Sequence, residues 1–443
     1  MNEPVDLKTK TAMVVDCGLF SHFAETLAKD YGKVLFFNPS WKRAFPMSRE
    51  RYIADGLPNV EVVKNFYDEK DRADIFIFPD GGHGDWQIDL LKQGKLVWGS
   101  RRADELEQDR WAFKQEILKG LDMPVQPMER LVGITKLREH LKKHKGEVKY
   151  VKLSEERGDM ESGRYEGDYD MANEAWLKQL DVTLGVLADD TEFIAEDKID
   201  AVVEMGGDHY CIDGRYPEST LWGLEQKNAS YIGAMVAYGD LPEPIQWANE
   251  KLSPILAQLG YRGGYSSELR VTKTGKVFYS DPCFRFPSPP SQGYPLVIGN
   301  WGDITWYGAQ GILVKPRKLA DYLIIAMIYA EHCDTRWLKY TYPKELADHY
   351  RFSFSMMLNG QRWTLPQHCE MEMMGAVCVG DDNLVDGLKR IKEYAGKLEG
   401  HNLHVRTDAL LDGIVSIHAA QKAGYRFGDG KIPDLGNAAE ILI

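Results

Sequence analysis

The sequence lacks several features by which many proteins can be placed in a structural or functional class. Its 443 residues include only six cysteines, and no two form a CxxC pair, which excludes a disulfide scaffold and a cysteine-based zinc finger. The longest apolar stretch, 323–330, is far shorter than the about 20 residues that cross a bilayer. No charged segment followed by an apolar one opens the chain, so we expect a cytoplasmic protein with reduced thiols and no membrane contact.

Positive charge is outnumbered by negative charge. The chain carries 54 Lys and Arg residues against 67 Asp and Glu residues, a net charge of −13. The densest basic run, 136–149, is short and typical of a solvated helix face, whereas binding to phosphate backbones needs clustered cations. The first hundred residues contain no G-x-G-x-x-G, which argues against a dinucleotide site. We therefore expect small-molecule partners rather than nucleic acid; the sequence gives no signal for oligomeric state.

The first hundred residues alternate apolar runs with helical patterns. Strands are predicted at 11–18, 33–39, 60–66, 74–82 and 95–100, with a helix at 21–32. This alternation predicts a doubly wound, mostly parallel sheet. Ligands of such sheets bind beyond the carboxyl ends of the strands, where Asp16, Asn38 and Asp80 stand.

The remaining sequence predicts an α/β and α+β protein of several domains. Helices are predicted at 103–125, 135–144, 244–259 and 383–400, and strands at 147–154, 192–205 and 375–380. The polar, glycine-containing segment 156–170 is expected to form an exposed loop without regular structure.

The hairpin predicted at 263–286 carries the most chemical information. Its turn is Lys273-Thr274-Gly275, which sets Glu268 nearly opposite Asp281, and cross-strand Cβ atoms lie about 5 Å apart. Two carboxylates so close repel each other unless a cation lies between them, and oxygen ligands suit Mg²⁺. Arg270 and Arg285 could neutralise phosphate or acyl-phosphate oxygens on the same face. The alternative is a surface hairpin with solvated charges.

The order of segments around this hairpin resembles the ATP-grasp ligases, and within them phosphoribosylamine–glycine ligase and its relatives. LEQDRWAFKQEIL (106–118) resembles the helix that begins near L-E-G-S-K, and KYVKLS (149–154) the strand that ends in a nucleotide-binding lysine. FIAEDKI (193–199) resembles the adenine hinge I-E-E-F, and VVEMGG (202–207) the segment with the ribose glutamate. Asp281 to Arg285 stands where the family has E-x-N-x-R.

The resemblance implies an ATP-grasp fold in three parts. A pre-ATP α/β domain would span 1–103, the ATP-grasp domain 104–310 with a lid subdomain at about 126–205, and a small C-terminal α+β domain 311–443. Glu268 and Asp281 would bind Mg²⁺, with Mn²⁺ as an alternative, and Arg285 and Arg270 would be catalytic. The residues assigned to ATP are Arg110, Lys152, Arg164, Glu196, Asp197, Glu204 and Lys227.

The activity implied is an ATP-dependent ligase that joins a small carboxylate to an amine or other nucleophile through an acyl phosphate. Three departures bear on it. Cys283 replaces the family's asparagine, and a thiol is a poor Mg²⁺ ligand. The lid lacks G-K-G; Arg164 is one candidate replacement and Arg157 is a second. DCGLFSHF (16–23) replaces the family's G-G-G-R-E-H loop, so we expect a different substrate. The alternative is a catalytically silent protein that binds a nucleotide or metabolite.

Overall fold

The computed structural model describes residues 5–39, 52–153, 162–166, 171–331, 333, 335–366 and 373–442, with the main chain alone for 162–166 and 171–172. The predicted N-terminal parallel sheet is confirmed. Its strands are β1 (Thr11–Val15), β2 (Lys33–Phe37), β3 (Val60–Val63), β4 (Ile75–Ile77) and β5 (Leu96–Trp98), in the order β3-β2-β1-β4-β5. Helices α1 (Ser21–Leu27), α2 (Phe66–Glu69) and α3 (Gly84–Lys92) connect them.

The single helix predicted at 103–125 is wrong. The chain forms α4 (Asp104–Gln108), α5 (Arg110–Ala112) and a π-helical stretch over Phe113–Leu118. Asp109 separates α4 from α5 because its backbone leaves the helical region, with φ −95° and ψ 82°. Its carboxylate then accepts the Ala112 N–H at 2.8 Å and starts the new helix. Apolar periodicity does not report such a break.

A four-stranded antiparallel sheet, hereafter the lid sheet, follows. Its strands are β6 (Met128–Val132), β7 (Val148–Leu153), β8 (Ser162–Glu166) and β9 (Glu192–Asp197), in the order β6-β9-β7-β8. Helices α6 (Ile134–Lys143) and α7 (Met171–Leu184) pack on one face over Leu137, Val151, Leu177 and Phe193. The expectation of no regular structure in 156–170 is wrong for 162–166, which pairs with β7. The remainder of that segment lies outside the described residues.

A second antiparallel sheet forms the centre of the molecule. Its order is β14-β13-β10-β11-β12-β15-β20-β17, with a further strand, β22, paired to β15. Its strands are β10 (Ala201–Ile212), β11 (Ser219–Gln226), β12 (Ser230–Ala237), β13 (Arg262–Thr272), β14 (Val277–Cys283), β15 (Tyr322–Ala330), β17 (Tyr350–Phe352), β20 (Met373–Asp381) and β22 (Leu403–Val405). Because β12 pairs with β15, this sheet continues across the predicted boundary at 310, and that boundary stays a prediction.

The remaining elements cover this central sheet. The smaller strands β16 (Leu338–Thr341), β18 (Ser355–Leu358), β19 (Gln361–Thr364) and β21 (Glu399–Gly400) form a sheet of their own. The helices are α8 (Glu243–Gln258), α9 (Trp301–Ala309), α10 (Leu384–Ala395), α11 (Ala409–Lys422) and α12 (Leu435–Leu442). Within the described part of the chain, none of the helices combines the length and apolar character that a bilayer crossing demands.

Buried aromatic side chains fix the parallel sheet against the segment that follows β14. The ring of Phe286, 1% exposed, lies 4.8 Å from that of Phe23, 5.2 Å from Trp98 and 5.4 Å from Trp301, between centroids. Edge-to-face contacts of this kind add to the free energy of burial. This cluster therefore holds the carboxyl edge of the parallel sheet next to the β13–β14 hairpin.

We expect Phe286→Ala to destabilise the protein by about 3–5 kcal/mol, because it leaves a cavity among packed aromatic rings. Urea unfolding followed by tryptophan fluorescence measures the change. Tyr67→Ala is the matched control, since Tyr67 is 67% exposed, and its effect should stay within about 1 kcal/mol. Equal effects of the two variants would contradict the packing described here.

Candidate active site

The β13–β14 hairpin brings Glu268 and Asp281 together through a β-bulge. Ser267 pairs with Pro282, but Leu269 pairs with Tyr279, so Glu268 faces two residues of β14, Ser280 and Asp281. Bulges re-aim side chains and are frequent beside functional sites. The hairpin and its approximate register agree with the sequence-based prediction, which did not include the bulge.

The two carboxylates differ in their electrostatic surroundings. Burial acts to raise the pKa of Asp281, but Lys152, Lys114 and Arg110 outweigh it and hold that pKa well below its ordinary value. For Glu268, loss of solvent in the cleft and the charges of Asp281 and Glu204 together raise the pKa well above its ordinary value. A divalent cation between them would relieve this repulsion.

Asp281 belongs to a buried ion cluster that joins the lid sheet to the hairpin. Lys152 Nζ lies 2.5 and 2.6 Å from the two Asp281 oxygens and 3.4 Å from Glu196 Oε2. Lys114 Nζ donates to Glu196 Oε1 at 2.6 Å, with the Lys114 and Glu196 side chains 1% and 2% exposed. Arg110 Nε lies 3.7 Å from Asp281 Oδ1, and its Nη1 donates to the Leu153 carbonyl at 2.8 Å.

Among the described residues, the cluster contains the cations Arg110, Lys114 and Lys152 and the anions Glu196 and Asp281. The three cations are buried, so their charge is weakly screened and favours an anionic ligand at this point. A nucleotide triphosphate fits that requirement, and the carboxylates of Glu268 and Asp281 are the hard oxygen ligands that suit Mg²⁺.

Asp197 lies on the other face of the lid sheet. Successive residues of a strand point to opposite faces. Glu196 faces Lys152, whereas Asp197 is the cross-strand partner of Lys149 and accepts from its Nζ at 2.5 Å. The structure therefore places the Asp197 side chain away from the cluster; the assignment of this residue to the adenine hinge, through backbone groups, stays a prediction.

Glu204 and Arg270 form a second pair beside the hairpin acids. They are direct cross-strand partners on β10 and β13, and Arg270 Nη2 donates to Glu204 Oε1 at 3.0 Å. Arg270 also lies 3.9 Å from Glu268 Oε1. Loss of solvent acts to raise the pKa of Glu204, but hydrogen bonds with Glu268 and Arg270 and the charge of exposed Lys227 keep it below its ordinary value. Both predicted residues, with Lys227 nearby, thus border the carboxylate pair.

Arg285 connects the hairpin to the parallel sheet. Its Nε donates to Glu107 Oε1 at 2.8 Å and lies 3.7 Å from Asp80 Oδ1, at the carboxyl end of β4. Glu107 also accepts the Phe284 N–H at 2.8 Å, so one buried carboxylate fixes both the backbone and the guanidinium. These contacts place Arg285 at the side of the site nearest the parallel sheet.

Two further predictions concern Arg164 and Cys283. The backbone of Arg164 pairs with Tyr150, two residues before Lys152 on β7, while its side chain lies outside the described residues. Burial raises the pKa of the Cys283 thiol, so the group stays protonated, and its Sγ lies 3.7 Å from the Arg285 carbonyl. A neutral thiol is no substitute for the amide oxygen of an asparagine as a Mg²⁺ ligand.

The sequence analysis did not identify Lys114, Glu107 or Gln126. The Nε2 of Gln126 donates to Glu196 Oε2 at 2.7 Å. A signal was present for Lys114, which follows Arg110 by four residues and so shares its helical face. Nothing in the local sequence around Glu107 or Gln126 indicates their partners, which lie 178 and 70 positions further along the chain.

Comparison with known proteins establishes the fold. No family model matches the sequence, and a search of curated proteins finds no match. The parallel sheet, the lid sheet and the central antiparallel sheet together form the ATP-grasp fold. Phosphoribosylamine–glycine ligase from Thermotoga maritima is 13% identical, with a TM-score of 0.65 over 89% of this chain and 99% of that one.

Two biotin carboxylase structures are also similar. The enzyme from Campylobacter jejuni is 15% identical, with a TM-score of 0.63 over 94% of this chain and 97% of that one. The biotin carboxylase domain of the Hydrogenobacter thermophilus 2-oxoglutarate carboxylase, solved with MgADP and bicarbonate, is 11% identical, with a TM-score of 0.64 over 98% of each chain. At these identities the likeness concerns the fold alone.

The two faces of β9 give a paired test. Glu196→Gln should destabilise the protein by about 3–5 kcal/mol, because it leaves the buried Lys114 ammonium without its anion. Asp197→Asn removes a half-exposed pair and should cost at most about 1 kcal/mol. Urea unfolding of both variants measures the difference. A larger loss for Asp197→Asn would show that the faces are assigned the wrong way round.

Proposed function

We propose that this protein is an ATP-dependent ligase that couples a small carboxylate to an amine, or another nucleophile, through an acyl phosphate. The observation that carries the proposal is the group of three buried cations, Arg110, Lys114 and Lys152, set against the carboxylate pair of the β13–β14 hairpin. That arrangement provides adjacent places for phosphates and for Mg²⁺ or Mn²⁺. The similar structures include a phosphoribosylamine–glycine ligase and a carboxylase domain with bound MgADP, which supports the same reading.

The residues take distinct roles in this proposal. Lys114 and Lys152 contribute ammonium groups to the phosphates, and Arg110 holds the Leu153 carbonyl and the Asp281 side of the cluster in place. Arg164 contributes a further cation from the lid. Glu196 and its neighbours on β9 offer the hinge for adenine, and Glu204 accepts the ribose hydroxyls. Lys227 lies at the outer edge of the site, close to Glu204.

Two carboxylates and two arginines surround the place proposed for the transferring phosphoryl group. Glu268 and Asp281 would hold the cation, which would neutralise phosphate charge when bound. Arg270, held by Glu204, and Arg285, held by Glu107, stabilise negative charge as the substrate carboxylate attacks the γ-phosphate and ADP leaves. The nucleophile then attacks the acyl carbon, loses its proton and displaces inorganic phosphate. Because Arg285 also contacts Asp80, the acceptor substrate enters between the hairpin and the parallel sheet.

The particular substrates differ from those of phosphoribosylamine–glycine ligase in this proposal, because DCGLFSHF occupies the place of that family's loop. The proposal includes three domains, with boundaries at residues 103 and 310. It also includes a cytoplasmic location and small-molecule partners.

A catalytically silent nucleotide-binding protein is the second candidate. The observation that favours it is Cys283, whose neutral, buried thiol removes one oxygen ligand from the metal site. The retained Glu268, Asp281, Arg270 and Arg285 favour the ligase. The two candidates differ in whether bound ATP is turned over.

We expect ADP release from ATP and Mg²⁺ when pooled carboxylic acids and amines are supplied, and a loss of at least about 100-fold in Asp281→Asn. Coupled detection of ADP measures it. Asp200→Asn is the matched control, since Asp200 is 93% exposed and pairs only with Lys198 at 3.5 Å among the described residues. Mg²⁺-dependent ATP binding without turnover in any pool would favour the silent protein, and absence of ATP binding would exclude the ligase and leave only a silent protein that binds another ligand.

A further inference from the structure

A second group of ligating side chains lies on the lid, apart from the candidate active site. Glu129 stands on β6, and His140 and His144 stand one helical turn apart at the end of α6. One ligating atom from each lies within 4.8 Å of the others. Glu129 Oε2 is 3.2 Å from His140 Nδ1, and the two imidazole rings lie 4.4 Å apart between centroids.

The imidazole nitrogens are incompletely satisfied. His140 is only 7% exposed. The Nε2 atoms of both His140 and His144 are buried and have no hydrogen-bond partner among the described residues. A buried polar atom without a partner is costly. A metal ion between the three side chains would meet His140 through Nδ1, the atom that faces Glu129, and would supply the missing partner of His144 Nε2.

The surroundings of His144 favour the tautomer that binds a metal. His144 Nδ1 lies 3.1 Å from Glu147 Oε2, a carboxylate that Lys149 also holds at 2.7 Å. A carboxylate on Nδ1 fixes the tautomer that leaves the Nε2 lone pair for a metal.

We propose that Glu129, His140 and His144 bind a divalent transition metal of the Zn²⁺ type, with water completing the coordination. Two imidazoles and one carboxylate form a donor set that binds Zn²⁺ in preference to Mg²⁺. Ligand atoms of a tetrahedral Zn²⁺ site lie about 3.4 Å apart, and Glu129 Oε2 and His140 Nδ1 already stand 3.2 Å apart.

The position of this site gives it a structural role. Glu129 pairs across the sheet with Ala195, the residue before Glu196, and shares its face with Lys149 and Asp197. The metal would therefore fasten α6 to β6 on the face opposite the ion cluster. It stabilises the lid sheet on which Lys152 and Glu196 stand, without contacting the candidate ATP site.

The test is a cobalt titration of the full chain after removal of metal with a chelator. In excess Mg²⁺, which occupies hard oxygen sites, we expect one Co²⁺ per chain, with the visible absorption bands of a site of low coordination number. Zn²⁺ should displace it. His144→Asn should lose the bands, whereas His404→Asn, at an exposed histidine of β22, should retain them. Absence of the bands in the unmodified chain, or their retention in His144→Asn, would overturn the proposal.

Thermal unfolding separates loss of a ligand from loss of the fold. Zn²⁺ should raise the unfolding temperature of the unmodified chain and of His404→Asn, but not that of His144→Asn. If His144→Asn already unfolds at a lower temperature without metal, Glu129→Gln replaces it, since Glu129 is 57% exposed and its loss leaves the helix intact. A Zn²⁺-dependent rise in Glu129→Gln equal to that of the unmodified chain would overturn the proposal.

Discussion

The contact between Lys152 and Asp281 is the constraint on which the site depends. It joins the lid sheet to the central sheet, because Lys152 stands on β7 and Asp281 on β14. Buried charges are tolerated only with close, hydrogen-bonded partners. The pair therefore requires β7, β14 and the broken helix with Arg110 and Lys114 to meet in one arrangement. This requirement defines the position of every other group proposed to meet the nucleotide.

Two local irregularities make that arrangement possible. Asp109 ends α4 and restarts the helix, which turns Arg110 and Lys114 toward β7 while Glu107 stays beside Arg285. The bulge in the hairpin sets Glu268 against Ser280 and Asp281 without breaking the strand pair. Departures from regular structure concentrate where function constrains side-chain direction. Both irregularities lie in segments that carry candidate site residues.

The sequence was sufficient for the parallel sheet and the hairpin, because apolar runs that alternate with helical patterns, and a Lys-Thr-Gly turn between alternating residues, are local signals. The motif order names Lys152, Glu196 and Asp281, but it does not contain their mutual contacts. Lys114 meets Glu196 across 82 positions, a pairing that no local pattern contains. The motif also names Glu196 and Asp197 together, whereas strand geometry sends their side chains to opposite faces. The break at Asp109 depends on one side-chain cap, which competes closely with helix continuation.

The charge distribution reconciles an acidic chain with an anionic ligand. The net charge of −13 disfavours extended polyanions, since these need cations spread over a large surface. Positive charge is instead concentrated in the buried side chains of Arg110, Lys114 and Lys152. Solvent and salt screen the electric field of these charges far less there than at the protein surface. A compact phosphate group that enters the cleft meets that field, while a long polymer meets the acidic exterior first. Under the proposed function, selection between small and large polyanions would follow from where the cations are buried rather than from how many the chain contains.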